Sequence, residues 1–320
     1  MNTYMGIDIG GTKIAYGLFD ENRRLIQRKQ VPADAGADGP AFFSDVARQI
    51  KELISDLTAR GDQLKGIGIG ITGFVDFERG ALTVTASLPR LNNFCVVDYL
   101  RAELKTDIPI LMDNDCHCGA LAEYRRGAGQ GHRHMLYCPI STGTSTGIII
   151  DGKLFRGSNG ASGETGHTLS GVQGELRDVH ACACGNSGCF NSLGSGKAIT
   201  FHIRHWLEQG ETSIMPELAG GAEKINAKHI DAAYEMGDAL AIRAVEQMAH
   251  YLGIWVFNAY MTFNIDCIVF SGGLLKMGDK LYKRILENFE KYHTNGFPVE
   301  FHKTELGSDS GLIGAVELLF

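Results

Sequence analysis

The chain has 320 residues, 44% of them hydrophobic, which is enough for about two domains with cores of their own and excludes a disulfide scaffold or a fold-on-binding tail. Thirty Lys and Arg against 37 Asp and Glu leave a net charge of −7 with no dense basic run, so a nucleic-acid partner is not expected. Eight cysteines without a signal peptide point to a reducing cytoplasm, and no apolar run approaches the roughly 20 residues of a membrane span.

In chain order, the pattern predicts a strand ending near Asp8, a glycine turn, a second strand ending at Asp20, and a third over Arg24 to Val31. A helix from Ala41 to Arg60 carries Phe42, Phe43, Val46, Ile50, Leu53, Ile54 and Leu57 at helical spacing. Next come a strand at Gly66 to Ile71, a helix at Asp98 to Leu104, a strand at Ile108 to Met112 and a helix from Cys116 to Arg126. The opening pattern recurs 131 residues on: a strand at Met135 to Ile140, a small-residue turn at Ser141 to Thr146, and a strand at Gly147 to Asp151, with Asp151 matching Asp20. A repeat on this scale predicts two related domains, each beginning with a hairpin suited to phosphate. The remainder reads as a loop-rich stretch from Arg156 to Gly188, helices at Asn191 to Glu208 and Asp238 to Met261, a strand at Cys267 to Phe270, and an apolar helix at Gly311 to Phe320 that packs back on the first domain.

Several motifs carry chemistry. Asp8-Ile-Gly10-Gly11-Thr12-Lys13 places a carboxylate before a turn whose N–H groups approach phosphate oxygens, with Asp8 a candidate holder of hydrated Mg²⁺. Gly68-x-Gly70-x-x-Gly73 matches a dinucleotide fingerprint, but its glycines alternate with Ile67, Ile69 and Ile71 inside a strand. They are expected to admit another backbone or a sugar instead. Asp113-Asn114-Asp115 offers a general base for a hydroxyl, with an N-cap as the alternative role for Asp115. His167 with Cys182, Cys184 and Cys189 makes a closed Cys₃His set for structural Zn²⁺, His180 being a competing fourth ligand. The remaining cysteines (Cys95, Cys116, Cys118, Cys138, Cys267) are expected in the core. Glu164, on the loop this metal would pin, suits a grip on sugar hydroxyls.

Taken in order, Asp8-Ile-Gly-Gly-Thr-Lys13, Asn114-Asp115, Gly163-Glu-Thr-Gly-His167, Cys182-x-Cys-Gly-x-x-Gly-Cys189 and Ser271-Gly-Gly273 resemble the ROK family of bacterial sugar kinases and sugar-responsive repressors. The resemblance runs from about residue 3 to the end. It implies an α/β actin-like ATPase (ribonuclease H-like) fold with two related domains flanking a cleft. The small domain would be 1–118 with the helix 306–320, and the larger one 119–305 with the zinc loop. It implies ATP and Mg²⁺ as cofactors, a hexose or N-acetylhexosamine as substrate, and a homodimer. Asp115 becomes the base acting on the sugar hydroxyl, usually that of C6. Asn114, Glu164 and His167 become sugar contacts, with Gly73 on the sugar side. Gly10, Gly11, Thr12 and Lys13, with Thr142, Gly143 and Thr144, become phosphate loops, and Gly272 and Gly273 the adenosine-side turn.

Two departures bear on the substrate. Asn191 stands two positions after the third cysteine, where the family usually has an acidic sugar contact, and Ser87 stands where an Asn is common. A neutral amide cannot supply the charge-assisted bond a carboxylate would. A repressor of the same family is disfavoured by the few residues before the first strand, which leave no helix-turn-helix. A catalytically weak sugar sensor is the alternative, and a dehydrogenase would rest only on the Gly68 fingerprint.

Overall fold

The computed structural model describes residues 1–172 and 175–320; residues 173 and 174, within the loop-rich stretch expected over 156–188, lie outside the described residues. In chain order the elements begin with β1 (Asn2–Ile9), β2 (Lys13–Phe19), β3 (Leu25–Pro32), α1 (Gly39–Ala59), β4 (Gln63–Ile71) and β5 (Phe74–Asp76). They continue with β6 (Ala81–Val84), β7 (Phe94–Cys95), α2 (Val96–Leu104), β8 (Ile110–Asn114) and α3 (Asp115–Arg126). Then follow β9 (Met135–Pro139), β10 (Gly147–Ile150), β11 (Lys153–Leu154), α4 (Phe190–Gly194), α5 (Gly196–Glu208), α6 (Met215–Ala219) and α7 (Ala227–Glu235). The chain closes with α8 (Ala239–Phe263), β12 (Cys267–Ser271), α9 (Asp279–Glu290), β13 (Glu300–Lys303) and α10 (Ser310–Glu317). Two compact units form: unit 1 from Met1–Met135, Gly147–Ser162 and Thr304–Phe320, and unit 2 from Leu136–Thr146 and Gly163–Lys303.

In unit 1 the sheet order is β3-β2-β1-β4-β8, with β1 antiparallel to β2 and parallel to β4, and β4 parallel to β8. Side chains alternate across a strand, so Met5, Ile7 and Ile9 of β1 and Ile67, Ile69 and Ile71 of β4 share one face. Helix α1 covers that face with buried Phe42, Phe43, Val46, Ile50, Leu53 and Leu57, each contributing roughly 1.5–3 kcal/mol on burial. Asp38 starts α1 by accepting the Ala41 N–H at 3.0 Å.

The opposite face, which receives α10, carries Gly66, Gly68 and Gly70 of β4, with Tyr4, Gly6 and Asp8 of β1 beside them. A Cβ on Gly6 would overlap the carbonyl of Leu312, and one on Gly68 the carbonyl of Ala315. One on Gly70 would sit 3.2 Å from the Cys118 sulfur of α3. Of the two occupants expected for this glycine strand, the structure supplies protein backbone. Glu317 of α10 is fully buried and meets Arg23 at 2.7 Å and Arg125 at 3.2 Å. Just after unit 1 resumes at residue 304, the buried Glu123 carboxylate accepts from the Thr304 hydroxyl and from the backbone N–H groups of Ala128 (3.0 Å), Glu305 and Leu306 (3.3 Å each).

In unit 2, β12 runs parallel to β9 and to β13. The long helix α8 buries Trp255 and Tyr260, and Asp238 caps it through the Ala241 N–H at 2.8 Å. Where one helix was expected from Asn191 to Glu208, Ser195 adopts an extended conformation (φ −76°, ψ 161°), ends α4 and caps α5 through the Ala198 N–H at 3.1 Å. The antiparallel trio β5-β6-β7 and helices α6, α7 and α9 went unforeseen. Cys95 is exposed on β7 rather than in the core, whereas Cys116, Cys118, Cys138 and Cys267 are buried. Asp20 accepts two backbone N–H groups, from Asn22 and Arg24, whereas its sequence counterpart Asp151 is a turn residue at φ 51°.

Candidate functional site

In unit 1 the end of β8 passes directly into α3, and Asn114 rather than Asp115 is the N-cap. Its Oδ1 accepts from the N–H groups of Cys116 (2.8 Å) and His117 (3.3 Å), while Nδ2 donates to the Gly73 carbonyl at 2.7 Å. Gly73 is itself seated against Val84 and Thr85, so it supports Asn114. Asp115 occupies the first turn of the helix, and its Oδ1 shares the Cys116 N–H with Asn114 at 2.8 Å. Asp115 is solvent-exposed as a residue, while protein crowding around its carboxyl desolvates that group. That crowding first, and the negative charge of Asp8 second, push the carboxyl up to about 6. The displacement is in the direction a general base working near neutrality requires.

Behind Asp115 lies a buried network that sequence reading did not assign. Asp113 Oδ1 is 2.7 Å from His117 Nδ1, and Asp113 Oδ2 accepts from Arg156 Nε at 2.7 Å. Burial alone would raise Asp113, but His117 and Arg156 outweigh it and hold the carboxylate below its ordinary value. His117 Nε2 lies 3.3 Å from the Ser162 carbonyl. The i,i+4 spacing of Asp113 and His117 was the available signal.

The first glycine turn is closed by the Gly10 N–H donating to the Lys13 carbonyl at 3.0 Å. A Cβ on Gly11 would lie 2.9 Å from Ser87 Cβ, so this turn and the Ser87 segment are neighbours. Asp8 faces the start of α10 at Gly311, and its carboxyl is raised by burial against the pull of Lys13 and Arg28. A partly buried carboxylate of this kind, with Asp115 near enough to feel its charge, fits a hydrated Mg²⁺.

In unit 2 the second turn is held from two sides. The Gly196 N–H donates to the Ser141 carbonyl at 2.8 Å, and the Thr144 N–H donates to Asn191 Oδ1 at 3.0 Å. Thr142 is exposed at its tip. The segment from Gly163 to His167 lies on this turn: Gly163 takes φ 84° where a Cβ would overlap the Thr146 carbonyl, and Thr165 Oγ1 bridges Thr146 Oγ1 (3.0 Å) and Trp255 Nε1 (2.9 Å). Glu164 stands 3.6 Å from His167. Gly272, at φ 98°, packs on the Ile140 backbone, with Gly273 beside Ser141.

The ligand atoms of His167, Cys182, Cys184 and Cys189 lie within 4.8 Å of one another, and Cys182 Sγ is 3.3 Å from His167 Nδ1. Tetrahedral zinc, with bonds of about 2.0–2.3 Å, sets its donors about 3.3–3.8 Å apart, a spacing that Cys182 and His167 already have. Cys189 is held well below the ordinary thiol value, mainly by its hydrogen bond with Cys182 and then by those with His167 and Ser192. The four residues fit zinc. His180 stands outside the group and stacks on Phe201 at 4.3 Å.

A ROK family model matches residues 4–320. The glucokinase of Halalkalibacterium halodurans is 30% identical over 316 residues, covering 97% of this chain and 93% of that one. An N-acetyl-D-glucosamine kinase of Aliivibrio salmonicida is 29% identical over 292 residues, covering 88% and 89%. Among solved structures, the ROK hexokinase from Thermus thermophilus superposes with a TM-score of 0.81 at 28% identity, covering 98% of this chain and 97% of that one. A ROK family glucokinase from Streptomyces griseus, in complex with glucose and AMPPNP, gives 0.79 at 27% identity, covering 99% and 98%. No helix among the described residues is long and apolar enough to cross a membrane.

Proposed function

The chain belongs to the ROK family, with its α/β actin-like ATPase fold, and from that premise we propose that it is an ATP-dependent kinase of a hexose or N-acetylhexosamine acting at the C6 hydroxyl. The observation that carries the reading is Asp115, set in the first turn of α3 beside the Asn114 cap, with its carboxyl pushed up to about 6 by burial and by Asp8. Asp115 takes the proton of the sugar hydroxyl, whose oxygen attacks the γ-phosphorus in line. Positioning and charge stabilisation do the rest of the work. Gly10 to Lys13 and Thr142 to Thr144 contact phosphates, and Gly272 and Gly273 lie on the adenosine side. Asp8 would hold hydrated Mg²⁺, which when bound offsets charge on the transferring phosphoryl group. On the sugar side the reading assigns Asn114, Ser87 and Gly73 in unit 1, and Glu164 and His167 in unit 2. His167, Cys182, Cys184 and Cys189 would hold zinc, which keeps the Glu164 loop in place and takes no part in the transfer.

ATP consumption across glucose, mannose, fructose, allose and their N-acetylamino counterparts tests the reading. Turnover with at least one sugar, abolished in Asp115→Asn, is expected. Sugar binding with no turnover on any of them would replace it by the second reading, a sugar sensor, which the inward commitment of the Asn191 amide favours.

A further inference from the structure

Asn191 sits in the first turn of α4, two residues after the ligand Cys189, and both ends of its amide are engaged within unit 2. Oδ1 accepts the Thr144 N–H at 3.0 Å, and Nδ2 points at Cys182 Sγ at 3.7 Å. The reverse orientation would set an NH₂ against an N–H and an oxygen against a sulfur, so the partners fix the amide. Gly143 lies directly on it, a Cβ there falling 3.2 Å from Asn191 Oδ1. The turn that carries Thr142, Gly143 and Thr144 therefore touches the cysteine cluster through one side chain. Only an amide does this, because a carboxylate accepts from Thr144 but turns a lone pair toward sulfur.

We propose that Asn191 is a positioning residue that couples occupancy of the metal cluster to the shape of the 141–146 phosphate turn, rather than chiefly a sugar contact. Zinc on Cys182 fixes the sulfur, the sulfur fixes the amide, and the amide fixes the Thr144 N–H. Hydrogen-bonded partners of metal ligands commonly alter metal affinity by 10–100-fold when removed. The link to nucleotide rests on the kinase reading; the link between cluster and turn does not.

Hydrogen exchange of the Thr144 amide in the zinc-loaded protein, zinc retention against a chelator, and AMPPNP affinity separate the two. In Asn191→Ala, Thr144 exchange should rise about tenfold, the upper range for one hydrogen bond. Zinc should be lost at least about tenfold more readily, and AMPPNP should bind more weakly. Asn191→Asp should keep Thr144 protected while losing zinc as readily as the Ala variant, a split that general disruption of the loop would not produce. Thr144 protection unchanged in Asn191→Ala, zinc retention unchanged in Asn191→Asp, or AMPPNP binding equally tight in wild type and Asn191→Ala would overturn the proposal. If the wild type does not bind AMPPNP at all, the kinase reading fails, and the exchange and zinc results still decide the coupling.

Discussion

Replacing Asp115 by Asn removes a carboxyl whose titration moves from 3.8 to about 6 on folding, and the expected effects on activity and stability have opposite signs. For activity, a positioned base contributes about 10²–10⁴-fold. Wild-type kcat/KM should fall about tenfold per pH unit below about 6, and the variant should lose at least about 10² and show no such limb. For stability, a carboxyl with a raised folded-state value favours folding while it is protonated. That contribution is fully present below about pH 4 and is lost as the pH rises through about 6. Two units at about 1.4 kcal/mol each set a ceiling of about 3 kcal/mol, and the solvent exposure of Asp115 reduces this to about 1 kcal/mol. Asp115→Asn should therefore be more stable than wild type by about 1 kcal/mol at neutral pH and equal to it near pH 4. Urea unfolding at both pH values, beside a pH–rate profile, measures each part. An active variant sinks the assignment of the base, and a variant less stable than wild type at neutral pH sinks the electrostatic argument.

The Gly68→Ala variant should lose about 1–3 kcal/mol, because the new methyl group meets the Ala315 backbone and not a side chain that can rotate away; an unchanged urea midpoint would contradict the packing of α10 on β4. His117→Ala strips one partner from the fully buried Asp113 and should cost about 1–3 kcal/mol, with His117→Gln recovering part of it in the same unfolding assay. Metal analysis of purified protein should find about one zinc per chain, as four ligands imply. Cys189→Ala should remove it, and full retention of zinc in that variant would exclude the cluster.

What the sequence could reveal depended on how local each signal was. The cysteine cluster was legible because three thiols within eight residues declare themselves by spacing alone. The glycine strand was legible as a strand, but only the register of β1 and β4 shows that the face opposite Ile67 and Ile69 belongs to α10. The β5-β6-β7 trio offered strands of two to four residues, too short for any period to appear. At Ser195 the apolar pattern on either side hid a cap whose flanking glycines stood in plain view. Asn114 and Asp115 are adjacent residues of similar capping propensity, and the choice between cap and base turned on the Gly73 carbonyl that holds the Asn114 amide. The inward turn of Asn191 needed Thr144 and Cys182, 47 and 9 residues away, to be brought to it by the fold.

The packing of α10 on the sheet of unit 1 also joins the two ends of the chain. Unit 2 has all of its residues once Lys303 has been made, but unit 1 waits for Thr304–Phe320. Until then Gly6 and Gly68 present a bare backbone channel in a sheet whose other face is already covered by α1. The first-encoded sheet is thus closed by the last-encoded helix, so unit 1 is complete only when the whole chain is. Beside that channel Tyr4, Ala15, Phe19 and Leu25 form an apolar surface that Leu312 and Val316 of α10 cover, so the sheet exposes apolar area until the helix docks. The same absence of side chains at Gly6 and Gly68 that lets α10 approach so closely also brings its Leu312 and Val316 onto that surface.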